Sequence, residues 1–271
     1  MIRSMYSGVS GMRGFQTKLD IIGNNIANVN TVGFKAGRAM FKDILSQSVA
    51  GVTAPVDGKG GVNAKQIGLG VTVSAIDTVH TPGAAMTTNV VTDLRIDGDG
   101  FFAVRQNDDQ ENPYLTRAGN FSIDAARNLV NADGLFVLST DGAPIVIDDD
   151  VTAFSIAQDG EIISVRADGT SEGTGIRIGV VRVTNPGGLE KIGGNLYRNT
   201  PNAQADGLTI SQANDATIGT GAIISGQLEM SNVDLTNEFT EMIVAQRGFQ
   251  ANSRIITTSD EVLQEVVNLK R

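Results

Sequence analysis

The sequence predicts an α+β fold, mainly β, in which a long helix at each end brackets an antiparallel β-domain. Two observations carry that expectation. Apolar residues recur every three or four positions over the first 29 residues and again over roughly the last 40. Between these ends the period drops to two, and Asp-Gly pairs recur. A 3.5-residue repeat marks coiled-coil-like helices that wrap around partners, whereas alternation marks half-buried strands.

At the N-terminus, steps of four and three fall on Met1, Met5, Gly8, Met12, Phe15, Leu19, Ile22, Ile26 and Val29, and Gly8 alone breaks the apolar seam. The helical segment spans residues 1–33. Its stop is expected between Asn28 and Gly33, where Asn-Val-Asn-Thr-Val-Gly supplies turn formers and a glycine end. Residues 34–70 link it to the β-domain. They comprise a short amphipathic stretch, Phe34 to Val49, with Phe41, Ile44 and Leu45 as its apolar face. A glycine-rich run around Pro55 follows and reads as a flexible loop or extended arm.

Residues 71–229 read as the β-rich domain. Alternating runs occur at Val71–Val79, Val91–Ile96, Phe101–Arg105, Gly134–Leu138, Pro144–Ile147, Phe154–Ala157, Glu161–Val165 and Ile176–Val183. Asp-Gly pairs begin at Asp97, Asp99, Asp133, Asp141, Asp159 and Asp168. Such pairs accept the positive φ angles of tight turns and are expected to reverse the strands. Strands at this spacing predict an antiparallel sandwich or barrel. Residues 184–222 are expected to be a polar, irregular return. The second helix is placed in 230–271, with Ser231, Asn232 or Asp234 as its N-cap. Its seam runs Leu235, Phe239, Met242, Gln246, Phe249, Ser253, Ile256, Asp260, Leu263 and Val267.

The composition excludes several function classes. Net charge is −9. Between Asp93 and Asp150, twelve acidic residues face four arginines, so most of the negative charge sits in the middle and the ends are near neutral. An acidic chain without a basic stripe does not suit nucleic acid or an anionic membrane. No run approaches the roughly 20 apolar residues of a membrane span, so membrane insertion is not expected. The n-region charges Arg3 and Arg13 lack a following apolar core, so no cleaved signal peptide is expected.

There is no cysteine and one histidine, His80, which leaves nucleophile–histidine catalysis only a single candidate base. Asp97-Gly98-Asp99-Gly100 starts like a calcium loop but lacks the third acidic ligand and the closing glutamate, and reads as a turn. Asp148-Asp149-Asp150 reads as a solvated turn. Gly173-Thr174-Gly175 and Gly219-Thr220-Gly221 lack the strand–turn–helix setting of a phosphate loop. No enzyme, cofactor or metal site is expected.

The terminal segments carry a more specific signal. Asn24-Asn25-Ile26-Ala27-Asn28-Val29-Asn30-Thr31-Val32-Gly33-Phe34-Lys35 closely resembles the N-terminal signature of flagellar rod and hook proteins. Ser7-Gly8-Val9-Ser10-Gly11-Met12 and Leu19-Asp20 fit as well. Leu228-Glu229-Met230-Ser231-Asn232-Val233-Asp234-Leu235-Thr236 is similar to the family's C-terminal signature, continuing through Gln246-Arg247, Phe249-Gln250 and Thr258-Ser259-Asp260. The asparagines also have a plain structural role, because Asn25 and Asn28 can bond local backbone and Gly33 can take a left-handed cap.

The resemblance implies a homopolymer. The two helices would form a hollow inner tube, with the β-domain outside. Met5, Met12, Phe15, Leu19, Ile22, Ile26, Val29, Leu235, Phe239, Met242, Phe249, Ile256, Leu263 and Val267 would pack the subunits. Gln250, Thr257, Gln264 and Asn268 would line a channel for exported chains. It further implies secretion by the flagellar type III export apparatus and contact with other axial proteins: rod, hook cap and hook–filament junction. Arg3, Arg13, Asp20 and Arg247 are candidates for ion pairs between subunits, each of small worth.

Within the family, two readings compete. Tyr6-Ser7-Gly8-Val9-Ser10-Gly11-Met12, Gly193-Gly194-Asn195-Leu196-Tyr197 and the ending Asn268-Leu269-Lys270-Arg271 look more like the short hook proteins of Gram-positive bacteria, which form an extracellular universal joint. Gln47–Gly70 instead occupies the place of an extra segment that distal rod proteins carry, and supports a basal-body drive shaft. A third reading, from another class, is a secreted structural or adhesive β-protein with coiled-coil tails. It predicts small closed oligomers rather than an open helical polymer.

Overall fold

A computed structural model describes residues 2–55, 60–107, 110, 112–166, 170–205 and 207–269. Two helices flank an antiparallel β-structure, so the chain is α+β and mainly β. It divides into two compact units. The first joins residues 1–27, 37–78 and 234–271; the second joins 28–36 and 79–233.

In the first unit, α1 spans Ile2–Ala27 and α2 spans Leu235–Asn268. Of the three cap candidates, Asp234 does the capping: its carboxylate accepts from the Thr236 and Asn237 amides and satisfies donors that a helix start leaves open. The amphipathic stretch after Phe34 is a strand. Gly37–Asp43 pairs with Val71–Thr78, so the latter run, expected to open the β-domain, groups with the helices instead. Ser10 Oγ, on α1, accepts from the Val71 amide, and the Phe15 and Phe41 rings lie 6.0 Å apart. The expected loop or arm is in part a second hairpin, Ser46–Ala50 with Lys65–Gly68.

The second unit is built on a nine-stranded antiparallel sheet whose central strand is Phe101–Arg105. Alternate residues of that strand enter two different cores. Phe102 and Val104 pack with Leu94, Val137, Ile178 and Val180. Phe101 and Ala103 pack with Leu115, Val181, Val183 and Tyr197. A strand buried on both faces reads as an unbroken apolar run, which Phe-Phe-Ala-Val is. Val151–Ile156, Glu161–Arg166 and Ser171–Arg177 form a separate three-stranded sheet.

The Asp-Gly turns divide by outcome. Those at Asp133, Asp141 and Asp159 reverse paired strands or bridges. Asp97-Gly98-Asp99-Gly100 does not, because Leu94–Asp97 pairs with Ala222–Ser225 rather than with Phe101–Arg105. The pair at Asp168 lies outside the described residues. Pro144–Ile147 makes only isolated bridges. Residues 184–222 are not wholly irregular: Glu190–Gly193, Leu196–Arg198 and Ile210–Ser211 all join the large sheet.

Candidate assembly surfaces

The helices of the first unit run antiparallel. Near one end Asn25 Nδ2 donates to Glu238 Oε1 at 3.1 Å, and one turn on Lys18 pairs with Glu241. Farther along, Phe15 lies over Gly248, and Gly8 and Gly11 lie against Asn252. A Cβ on Gly248 would meet the Phe15 ring at 2.5 Å, and one on Gly11 would meet the Asn252 amide at 2.8 Å. The glycine that interrupts the heptad seam is therefore part of the contact. Asn25 also accepts from the Gly37 amide and donates to its carbonyl, both at 2.9 Å, which fastens the helix to the start of the hairpin.

The structure divides the sequence-predicted packing residues. Ile22 is buried, and Met5, Met12, Phe15, Leu19, Ile26, Met242, Ile256 and Leu263 are half-buried. Leu235, Phe239, Phe249 and Val267 are exposed. The strip of α2 that meets α1 runs through Gly248, Asn252 and Ile256, and along α2 Ala245 is buried and Met242 and Leu263 are half-buried. Outside it, Ile243, Val244, Ile255, Val262, Val266 and Leu269 also face solvent. Gln246, Arg247, Gln250, Thr257, Gln264 and Asn268 are exposed, as are Arg3, Arg13 and Asp20. The hairpin Ser46–Ala50/Lys65–Gly68 is exposed at every residue. So much open apolar surface is unusual in a chain that acts alone.

The two signature motifs meet inside the second unit. Gly33, at φ +68°, donates its amide to the Glu229 carbonyl at 2.8 Å, and a Cβ there would meet the Ala118 amide at 2.6 Å. Thr31 bonds Asn28, half-buried Val29 lies within that turn, and Phe34 lies under the Lys191 ammonium. Asn232 accepts from the Ala36 amide at 2.8 Å and donates to the Val79 carbonyl at 2.8 Å and to Thr81. Ser231 Oγ accepts from the Val233 amide. Asn232 therefore ties chain segments together, Ser231 makes a local turn, and Asp234 caps α2.

Three charged residues outside the expected site hold this junction. Lys35 Nζ lies 2.6 Å from Glu229 Oε1 and 2.8 Å from the Thr81 carbonyl, and Arg117 reaches Glu229 Oε2 at 3.3 Å. Lys35 and Glu229 are each 1% exposed. Burial works to raise the Glu229 carboxyl, but Arg117 and Lys35 outweigh it and hold it below the usual carboxylate range. A buried charge that loses its partner costs about 3–5 kcal/mol, so the three depend on one another. Lys35 and Glu229 each sit within a quoted motif, but nothing in one chain's sequence pairs residues this far apart.

His80, the one candidate base, is wedged between the Phe101 and Tyr197 rings at 5.7 and 5.5 Å. Burial first, then the Lys35 and Arg117 charges, lower its pKa to about 4. A ring held neutral between two aromatic side chains is a packing element. Among the described residues no helix is long and apolar enough to cross a membrane.

Comparison with known proteins agrees with these motifs. Residues 5–35 match the family described as flagella basal body rod protein, 95–164 the flagellar hook protein FlgE/F/G D1 domain, and 224–269 the flagellar basal body rod FlgEFG protein C-terminal region. The chain is 56% identical to the flagellar basal-body rod protein FlgG of Bacillus subtilis, over 272 positions and the whole of both chains. It is 37% identical to the FlgG of Borreliella burgdorferi over 276 positions, again whole against whole. The flagellar hook protein FlgE of that organism is 29% identical, across an alignment stretched to 449 positions. The chain belongs to the FlgE/F/G family of structural hook and basal-body rod proteins of the bacterial flagellum.

Proposed function

We propose that this chain is a distal rod subunit of the flagellar basal body, a straight drive shaft, rather than the hook subunit that its opening residues suggest. The observation that carries the choice is full-length similarity to FlgG rod proteins at almost the chain's own length, where the FlgE hook protein needs a far longer alignment. The hairpin Ser46–Ala50/Lys65–Gly68, which brackets most of Gln47–Gly70, fits the same reading.

In this proposal α1 and α2 form the inner wall of a coiled-coil-like tube, residues 1–33 and 230–271 in the sequence division. The second unit is the outer domain, sandwich- or barrel-like because both faces of its large sheet are cored. The exposed apolar strips of α2, with Leu235, Phe239, Phe249 and Val267, pack neighbouring copies. Gln250, Thr257, Gln264 and Asn268 line the export channel, since uncharged polar groups pass unfolded chains without holding them. Export follows the flagellar type III route, and the partners are further copies and the adjoining axial proteins.

Deleting the gene and imaging isolated basal bodies tests the choice. Truncated rods support the rod reading; complete rods that lack only the hook return it to the hook.

A further inference from the structure

The first unit leaves two complementary surfaces open. α2 has 34 residues against 26 in α1, and antiparallel pairing sets Gly8 against Asn252 and Ile256. The last turns of α2 therefore run past the beginning of α1. This overhang puts Val262, Val266 and Leu269 on one face, spaced by four and three. Val266 is 51% and Leu269 84% exposed.

The second surface is a groove of about 530 Å³ between α1 and the end of the strand pair Gly37–Asp43/Val71–Thr78, lined by Tyr6, Val9, Arg13, Ile44, Leu69 and Val73. Tyr6 is 70% exposed. Charge complements shape. Residues 3–19 carry Arg3, Arg13 and Lys18 and no acid, whereas the end of α2 carries Asp260, Glu261 and Glu265 ahead of the terminal Lys270 and Arg271. Lys18 is engaged by Glu241. Arg13, Glu261 and Glu265 make no ion pair among the described residues. A chain cannot fill its own groove, because its α2 is already held against a different strip of α1 and leaves that helix at its far end.

We propose that the α2 overhang of one copy seats in the α1 groove of a second copy, with Val262, Val266 and Leu269 inward and Glu265 beside Arg13. This rests on the reading of the chain as an axial polymer subunit and names the surfaces that join. Salt weakens such a pair, and like charges placed opposite each other oppose docking.

The full chain contains no cysteine, so engineered thiols report cleanly. Oxidised polymer of the Tyr6→Cys/Val266→Cys variant should give a disulfide ladder on a non-reducing gel, and a one-to-one mixture of the two single variants should give dimers. Polymer that forms but yields no cross-link, or an internally cross-linked monomer, overturns the docking and leaves the polymer reading standing. Failure of the unsubstituted chain to polymerise under the same conditions overturns both. As a second readout, Arg13→Glu and Glu265→Arg should each raise the critical concentration for assembly about tenfold and, mixed, restore it. Absence of that rescue also overturns the docking.

Discussion

Lys35, Arg117 and Glu229 show how two ends of a chain find a common position. Their separations, 194 residues for Lys35–Glu229 and 112 for Arg117–Glu229, put the pairing beyond any local pattern. His80 beside them gives the junction a measurable pH response. Its folded pKa, about 4, lies below the free value of 6.5, so the unfolded chain takes the proton first as pH falls. The stability from the neutral ring is complete above pH 6.5 and is lost between there and about 4. For a half-buried ring the loss is of order 1–3 kcal/mol after allowance for solvent screening. Denaturant unfolding of His80→Phe should therefore be nearly flat from pH 6.5 to 4.5, where the parent chain weakens. An unchanged slope would show that the ring titrates normally. Glu229, depressed rather than raised, adds its own loss only at lower pH.

At the scale of elements, glycines decide how near the helices come. A side chain at Gly248 must displace the Phe15 ring, whereas one at Gly23 meets nothing within 4 Å. Gly248→Leu should lower polymer stability by about 1–3 kcal/mol through overpacking, while Gly23→Ala should raise it by up to about 1 kcal/mol through helix propensity. Thermal dissociation of assembled polymer compares the two; equal effects of either sign would remove the close-approach argument. Both helices were legible because 26 and 34 residues give a 3.5-residue repeat time to declare itself. Glu161–Arg166 was legible as a strand because its burial alternates with period two, and Phe101–Arg105 because it is a short apolar run that follows a turn. Ser122–Ile123, Leu129–Val130 and Ile210–Ser211 are two residues each, too short to show any period. The α2 seam mixes residues that face α1 with residues left exposed, because a heptad list does not say which partner each apolar residue will meet.

For the whole molecule the contrast between units matters most. Among the described residues, Ile22 and Ala245 are the fully buried apolar side chains of the first unit, whereas two extensive cores fill the second. A helix pair with so little core is marginal alone. Both helices should exchange amide hydrogens freely in dilute monomer and become protected on polymerisation, while Phe101–Arg105 stays protected throughout. Protected helices in the monomer would contradict this. The backbone passes between the units four times, after residues 27, 36, 78 and 233, and Asn232 laces three of those passages together through Ala36 and Val79. On the proposed reading as a rotating shaft, a twisting load between the units is then shared by four covalent strands, three of them bound at a common knot, and none need carry it alone.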